Sequence, residues 1–134
     1  QRLSRGLGDV YKRQFIDWLI NNIRQKNHIY LFNDMYTSTL DVNTCAKLII
    51  KLSIINSKGI FNLGSSNMIT KEKFAINVSK KLGKKINYES VSCDIQKVPR
   101  GKNLGLNVKK IEKKLKMKMP SINISIKNLL KEYK

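Results

Sequence analysis

The fold is decided by the stretch GIFNLGSSNMITKEKFAINVSKKLG, residues 59–83, in which a strand pattern precedes a helix pattern. Gly59–Leu63 is a short apolar run bounded by glycines, and its length favours an interior strand over a helix. Thr70 can cap the helix that follows, and Gly83 stands where a left-handed C-terminal residue is expected. The inward positions of this helix recur every four residues and are Phe74, Val78 and Leu82. The stretch therefore predicts one strand and one well-bounded helix.

Two helices and a strand are predicted before this stretch. The first helix ends near Lys26 and carries its apolar positions at Phe15, Trp18, Leu19 and Ile23. His28–Phe32 is a short strand. Asp41 can cap the second helix, whose apolar residues cover a wide arc and are Val42, Cys45, Ala46, Leu48, Ile49, Ile50 and Leu52. So wide an arc predicts that this helix packs on a sheet.

One strand and two helices are predicted after residue 83. Ile86–Val91 alternates apolar and polar residues as a half-buried strand does, and a loop follows it. Asn107 caps a helix on Val108, Ile111 and Leu115, which Pro120 closes. Ser121 opens the last helix, on Ile122, Ile126, Leu129, Leu130 and Tyr133. The order predicts an α/β fold with about three strands, too few to close a doubly wound sheet without a further part upstream.

Composition restricts the class of protein. The chain has 134 residues and 41% hydrophobic content, enough for one domain with one core. We expect a soluble cytoplasmic protein, because no apolar run reaches the roughly 20 residues of a membrane span and no export signal is visible. Cys45 and Cys93 lack nearby Cys or His partners, so two free thiols are predicted, with neither a metal site nor a disulfide.

The formal net charge of +18 points on its face to an anionic partner such as nucleic acid. However, the lysines fall on the polar positions of amphipathic segments, without an Arg-rich cluster or a pattern of stacking aromatics. We therefore predict a solvated lysine surface and no specific nucleic acid. The excess charge would still raise the local concentration of an anionic diphospho-sugar.

The first fourteen residues differ from the rest, because Arg replaces Lys and hydrophobic periodicity is missing. The segment 4–14, SRGLGDVYKRQ, resembles a translated sequencing-adapter scar. We interpret residues 1–14 as an artefactual leader, so that Gly6 and Gly8 are not a phosphate loop.

Three stretches resemble the C-terminal half of the extended short-chain dehydrogenase/reductase family, in particular its sugar-nucleotide reductases. Residues 33–42, NDMYTSTLDV, are similar to an Asp, a Ser-Pro-Thr turn and a helix-opening Asp, here without the proline. Residues 59–75 are similar to the family's Gly-x-[Tyr/Phe]-[His/Asn]-Leu strand and its following helix. Residues 99–111, PRGKNLGLNVKKI, are similar to an Arg-Pro-x-Asn loop and a helix start, with Gly101 in place of proline and Asn107 in place of Asp. The order and spacing of these stretches carry the resemblance.

The resemblance implies a truncated Rossmann-type reductase, in which residues 15–134 bind a nucleotide-diphospho-sugar and a separate N-terminal part, missing here, holds NADPH or NADH. It implies that Arg100 binds the diphosphate, with weaker candidates at Lys102 and Asn103 on the same loop. It also implies that Asp34, Tyr36 and Thr39 lie on a turn directed toward the substrate. Asp41 and Asn107 are explained as helix caps and need no contact with substrate. The parent activity would be of the dTDP-4-dehydrorhamnose reductase kind, in deoxysugar synthesis for cell-surface polysaccharide. A homodimer is a further expectation.

The family's catalytic motifs do not occur in this chain. The Gly-x-x-Gly-x-x-Gly loop is absent, and no tyrosine from Phe15 onward has a lysine four residues later. No catalytic or cofactor-binding residue is therefore assigned. An epimerase or dehydratase, a non-catalytic regulatory relative and a basic nucleic-acid-binding domain stay open as alternatives. Without the cofactor-binding part, the helix from Asp41 to Leu52 should leave apolar surface exposed, which predicts marginal stability or self-association.

Overall fold

The computed structural model describes residues 15–133, and the predicted leader lies outside them. The helices are α1 (Phe15–Gln25), α2 (Val42–Ile54), α3 (Lys71–Leu82), α4 (Lys109–Leu115) and α5 (Ile122–Leu129). The strands are β1 (His28–Phe32), β2 (Tyr36–Thr37), β3 (Ile69–Thr70), β4 (Asn87–Val91) and β5 (Asn103–Leu104). Two 3-10 turns, Cys93–Ile95 and Leu130–Tyr133, complete the order. The predicted α/β class is confirmed.

The strands form two small sheets. β1 and β4 pair in parallel, with His28 opposite Asn87 and Phe32 opposite Val91. In the second sheet β2 lies in the middle, antiparallel to β3 and parallel to β5. The strands of this second sheet are two residues long, so they carry no measurable alternation and were not predicted.

The main core lies between α1, α3, α5 and β1. Its buried members are Leu19, Ile20, Ile23, Ile29, Leu31, Phe74, Ala75, Val78, Ile122, Ile126 and Leu130. The predicted inward positions of α3 and α5 are largely confirmed. Trp18 was predicted to face inward and is 39% exposed, whereas Ile20 is buried. The buried stripe of α1 is thus centred on Leu19, Ile20 and Ile23, and Trp18 lies at its edge.

Two of the predicted helix starts are capped by side chains. Asp41 Oδ1 accepts a hydrogen bond from the backbone amide of Thr44 at 2.9 Å, and Thr70 Oγ1 accepts one from Lys73 at 3.2 Å. Gly83 ends α3 with φ 64°, in the left-handed region that favours glycine. Asn107 was predicted to be the N-cap of α4, but the N-cap lies one residue later. Val108 occupies the cap position of α4, and Asn107 Oδ1 accepts from the second residue along, Lys109, at 3.0 Å.

The strand predicted at Gly59–Leu63 is wrong for the described part of the chain. The segment has no strand partner there, and Ile60 is 84% exposed. Side chains hold it instead, since Lys110 Nζ donates to the Ile60 carbonyl at 2.7 Å and Asn62 donates to the Asn107 carbonyl at 3.1 Å. An apolar run forms a strand only when a neighbouring strand satisfies its backbone, and among residues 15–133 none pairs with this segment.

The predicted packing of α2 on a sheet is also wrong for these residues. Leu48 is the helix's buried residue and joins a second, smaller core with Val108, Ile111 and Met119. Leu52 is partly buried against the same core, whereas four other large aliphatics are exposed: Val42 by 68%, Ile49 by 53%, Ile50 by 58% and Ile54 by 77%. The expectation that this helix leaves apolar surface uncovered is therefore confirmed.

Two compositional predictions can be compared with the structure. Cys45 and Cys93 are free thiols, as predicted. None of the helices described between residues 15 and 133 combines the length and the apolar character needed to cross a membrane.

Candidate substrate-binding surface

Two segments that are distant in sequence meet at the small second sheet. We call residues 34–37 and 98–104 together the loop surface. Tyr36 pairs with Asn103 in the parallel β2–β5 ladder, and the Tyr36 amide donates to the Lys102 carbonyl at 2.7 Å. Three of the predicted site residues, Tyr36, Lys102 and Asn103, are thus brought together.

Lys102 already has partners on this surface. Its Nζ lies 2.6 Å from Asp94 Oδ2 and 3.0 Å from Asp34 Oδ2. The hydrogen bonds to Asp94 and then to Asp34 hold the pKa of Lys102 above its usual range. The ammonium therefore stays charged, and that charge is directed at two carboxylates of the same chain.

Asp34 forms the centre of this arrangement. Its Oδ2 accepts from Ser92 Oγ at 2.6 Å, and its Oδ1 accepts from the Cys93 amide at 2.8 Å. The hydrogen bond from Ser92, followed by the one from the Cys93 amide, holds the pKa of Asp34 well below its usual range. Asp34 is consequently an ionised carboxylate that joins β2 to the turn after β4.

The ligand atoms of Asp34, Cys93 and Asp94 lie within 4.8 Å of one another, a spacing that a metal ion could use. However, the ammonium of Lys102 contacts both carboxylates. Burial is the main cause that raises the pKa of Cys93, which disfavours the thiolate that binds metals. Within the described residues the arrangement fits a lysine as its cation.

Arg100 lies two residues before Lys102 on the same loop, between Pro99 and Gly101. Its side chain is exposed, and among residues 15–133 it has no hydrogen-bond or ion-pair partner. A planar guanidinium can bind two oxygens of a phosphate at once, which an ammonium cannot do. Arg100 therefore has the chemistry and the freedom to bind an anion at the loop surface.

The other two candidates differ in position. Asn103 uses its Oδ1 to accept from the Gly105 amide at 3.1 Å, and Tyr36 is 43% exposed beside it. Thr39 instead shares a 2.9 Å hydrogen bond with Thr37 and lines a separate cleft of about 430 Å³. Thr39 is therefore connected to the loop surface through β2 but faces a different space.

Sequence reasoning missed Lys71, which lines that cleft with Phe15, Asp41 and Tyr133. Lys71 Nζ lies 4.5 Å from the centre of the Phe15 ring, and burial lowers the pKa of the ammonium. A second cleft of about 540 Å³ is also lined by Phe15 and Lys71. One signal was visible: Lys71 follows the cap Thr70, and a cation in a first helical turn opposes the helix dipole.

The described residues contain no glycine-rich loop of the kind that holds dinucleotide phosphates. Dinucleotide phosphates need closely spaced glycines at the turn from a strand into a helix. The glycines between residues 15 and 133 are Gly59, Gly64, Gly83, Gly101 and Gly105, and no two of them stand three residues apart. We therefore assign no cofactor contact to this part of the chain.

Solved structures share this fold, although no protein-family model and no curated protein matches the chain. A dTDP-4-dehydrorhamnose reductase from Bacillus anthracis str. Ames, in complex with NADP, superposes with a TM-score of 0.82 at 18% identity. The alignment covers 90% of this chain and 43% of that one. A dTDP-4-dehydrorhamnose reductase from Clostridium acetobutylicum ATCC 824 gives 0.80 at 13% identity, over 90% and 44% of the two chains.

An enzyme with a different activity shares the fold less closely. UDP-glucuronic acid 4-epimerase from Bacillus cereus, in complex with UDP-glucuronic acid and NAD, gives a TM-score of 0.68 at 12% identity. The alignment covers 92% of this chain and 41% of the epimerase. The chain thus has the fold of one part of Rossmann-type sugar-nucleotide enzymes and spans less than half their length.

Proposed function

We propose that the chain is the substrate-binding part of an NAD(P)H-dependent sugar-nucleotide reductase of the dTDP-4-dehydrorhamnose reductase kind. The observation that carries the proposal is the TM-score of 0.82 with such a reductase over 90% of this chain, against 0.68 for the epimerase. Residues 15–134 would form this part, and a dinucleotide-binding part outside the described residues would hold the nicotinamide cofactor. No catalytic step is assigned to this chain.

The loop surface supports binding of a nucleotide-diphospho-sugar. Arg100 would bind the diphosphate by donating two parallel N–H hydrogen bonds from its guanidinium. Tyr36 and Asn103, paired on β2 and β5, would offer a phenolic hydroxyl and an amide to the polar groups of the ligand. Thr39, at the separate cleft, would contact the ligand only if the ligand extends around β2.

The uncovered apolar surface also supports the proposal. The exposed isoleucines of α2 lie near in sequence to Gly59–Leu63, which has a strand pattern but no strand partner in the described part of the chain. Several exposed large aliphatic residues on one helix are typical of a surface that another part covers. A dinucleotide-binding part that adds a sheet edge and an apolar sheet face would cover both.

The first test is on the source DNA. We expect the codons upstream of Phe15 to encode, in frame, a Gly-x-x-Gly-x-x-Gly turn and a Tyr-x-x-x-Lys pair. The longer protein should then oxidise NADPH or NADH when dTDP-4-dehydrorhamnose is added. A native frame that begins at Gln1 would contradict the proposal.

The second test uses the chain itself. Calorimetry should detect dTDP binding, and Arg100→Gln should weaken it about tenfold or more, because a charge-assisted bidentate contact is lost. Lys97→Gln removes the same charge from the same loop and serves as the matched control. Equal losses in the two variants would mean that net charge, and not the guanidinium, attracts the ligand.

A nucleotide-sugar epimerase or dehydratase is the second candidate, because the epimerase shares the fold at a TM-score of 0.68. Such an enzyme would convert its substrate without net consumption of NADPH, so the same assay separates the two. A longer protein without the Tyr-x-x-x-Lys pair would favour a regulatory relative. Sequence-selective DNA binding that persists at high salt would favour the nucleic-acid alternative.

A further inference from the structure

The ion-pair cluster around Lys102 joins three separate segments of the chain. Asp34 precedes β2, Asp94 lies in the turn after β4, and Lys102 immediately precedes β5. The Lys102 ammonium contacts both carboxylates, at 3.0 Å for Asp34 and 2.6 Å for Asp94. The backbone of Lys102 is held as well, because its carbonyl accepts from the Tyr36 amide. Side chain and main chain of one residue thus fix the loop at two points.

The charge of the cluster makes Lys102 a poor ligand for a diphosphate. Two carboxylates face one ammonium, so the three side chains together carry a net charge of about −1 at neutral pH. An anion that approached Lys102 directly would also approach Asp34 and Asp94. To bind Lys102 it would have to displace hydrogen bonds that are already formed, at a desolvation cost.

We infer that Lys102 is a positioning residue, whose ion pairs clamp residues 98–104 onto Asp34 and Asp94 and so fix the direction of Arg100 toward a substrate diphosphate. This inference rests on the proposed function. It replaces direct substrate contact, the role that the family resemblance implied for Lys102.

The local structure explains why a clamp is needed. Arg100 has no partner of its own among residues 15–133, and the strand that follows it, β5, is two residues long. So short a strand restrains a loop weakly. A loop that is already fixed loses less conformational entropy when it binds, and this saving appears as affinity.

A double-mutant cycle with dTDP tests the inference. Lys102→Met should weaken dTDP binding about three- to tenfold in the unmodified chain and should have no effect in the Arg100→Gln background, because Lys102 acts through Arg100. Lys102→Arg, which keeps the ion pairs, should restore most of the affinity. An equal loss in both backgrounds would show that Lys102 contacts the ligand itself and would overturn the inference.

A second measurement needs no ligand. Cys93 is 3% exposed and its amide is bound by Asp34, so release of the clamp should expose its thiol. Asp94→Asn and Lys102→Met should each raise the rate of Cys93 alkylation about tenfold relative to Cys45, which lies on α2 and serves as the internal reference. In the same two variants, trypsin should also cleave the chain after Arg100 faster than it cleaves the unmodified protein. Lys97→Met is the matched control and should change neither rate.

The two measurements separate the two claims. If alkylation and cleavage respond as expected but dTDP does not bind the unmodified chain, the clamp stands and the proposed function fails. If dTDP binds and Arg100→Gln weakens binding, but neither Cys93 alkylation nor cleavage responds to Lys102→Met, the proposed function stands and the clamp is wrong. Circular dichroism of each variant checks that its fold is retained.

Discussion

The carboxylate of Asp34 accepts a hydrogen bond from the backbone amide of Cys93, a residue 59 positions further along the chain. With Ser92 and Lys102 also bound to it, this one side chain joins the turn before β2 to the turn after β4. Replacing Asp34 should therefore change the placement of the two sheets relative to each other more than it changes the structure of either turn.

The first prediction concerns pH. The folded-state pKa of Asp34 lies below the value of about 3.9 for an unfolded aspartate. Asp34 therefore stabilises the fold fully above about pH 4, and this stabilisation is lost as the pH falls toward the folded-state pKa. Asp34→Asn should be less stable than the unmodified chain to urea at pH 7, by a margin that shrinks at pH 3. Glu89→Gln, a carboxylate on β4 that is 60% exposed, is the control. A margin independent of pH would contradict the prediction.

The second prediction concerns self-association through α2. Ile54 is 77% exposed at the end of this helix, whereas Ile124 is 50% exposed on α5. If the exposed face of α2 drives association, Ile54→Gln should shift the sedimentation profile toward monomer and Ile124→Gln should not. Neither change removes a buried contact, so both proteins should keep their unfolding midpoints. A monomeric unmodified chain at high concentration would refute this prediction.

The third prediction concerns the main core. Ile126 on α5 is fully buried, and two residues before it Ile124 faces solvent. Ile126→Ala should lower the free energy of unfolding by about 2–5 kcal/mol, since it removes buried methylene groups and leaves a cavity. Ile124→Ala should lower it by less than about 0.5 kcal/mol. Comparable losses, measured by chemical denaturation, would mean that α5 is rotated relative to its described position.

The fourth prediction concerns helix caps. Asp41 is 3% exposed and its carboxylate accepts from both the amide and the hydroxyl of Thr44. Asp41→Ala should lower the free energy of unfolding by about 0.5–2 kcal/mol. Ser121 also stands at a cap position, but its side chain makes no capping hydrogen bond there. Ser121→Ala should therefore have a smaller effect in the same denaturation experiment.

The elements that could be predicted from the sequence are those with a regular hydrophobic spacing or with capping residues at their ends. α3 is the clearest case, because Thr70 and Gly83 mark both ends and Phe74 and Val78 mark its buried face. β2, β3 and β5 escaped prediction because two residues define no alternation. Gly59–Leu63 has a strand pattern, yet a strand is a property of a pair, and the described chain offers it no partner.

The candidate site was predictable only in part. Tyr36, Lys102 and Asn103 were chosen because they lie in family-like stretches, and the β2–β5 ladder brings them together. The pairing of Lys102 with Asp34 spans 68 positions and lies beside the β2–β5 ladder, a long-range pairing that no local pattern encodes. Lys71 was missed because its burial results from packing against Phe15 rather than from its place in a hydrophobic repeat.

The parallel pairing of β1 with β4 has a consequence for synthesis of the chain. Every pair in this ladder joins residues 59 positions apart, from His28 and Asn87 to Phe32 and Val91. At roughly 5–20 residues per second, a ribosome completes β4 about 3–12 s after β1. During that interval β1 has no partner strand from the described part of the chain, so Ile29 and Leu31 lie on an edge that β4 has yet to cover. Chaperones that bind short aliphatic segments would meet this protein at β1.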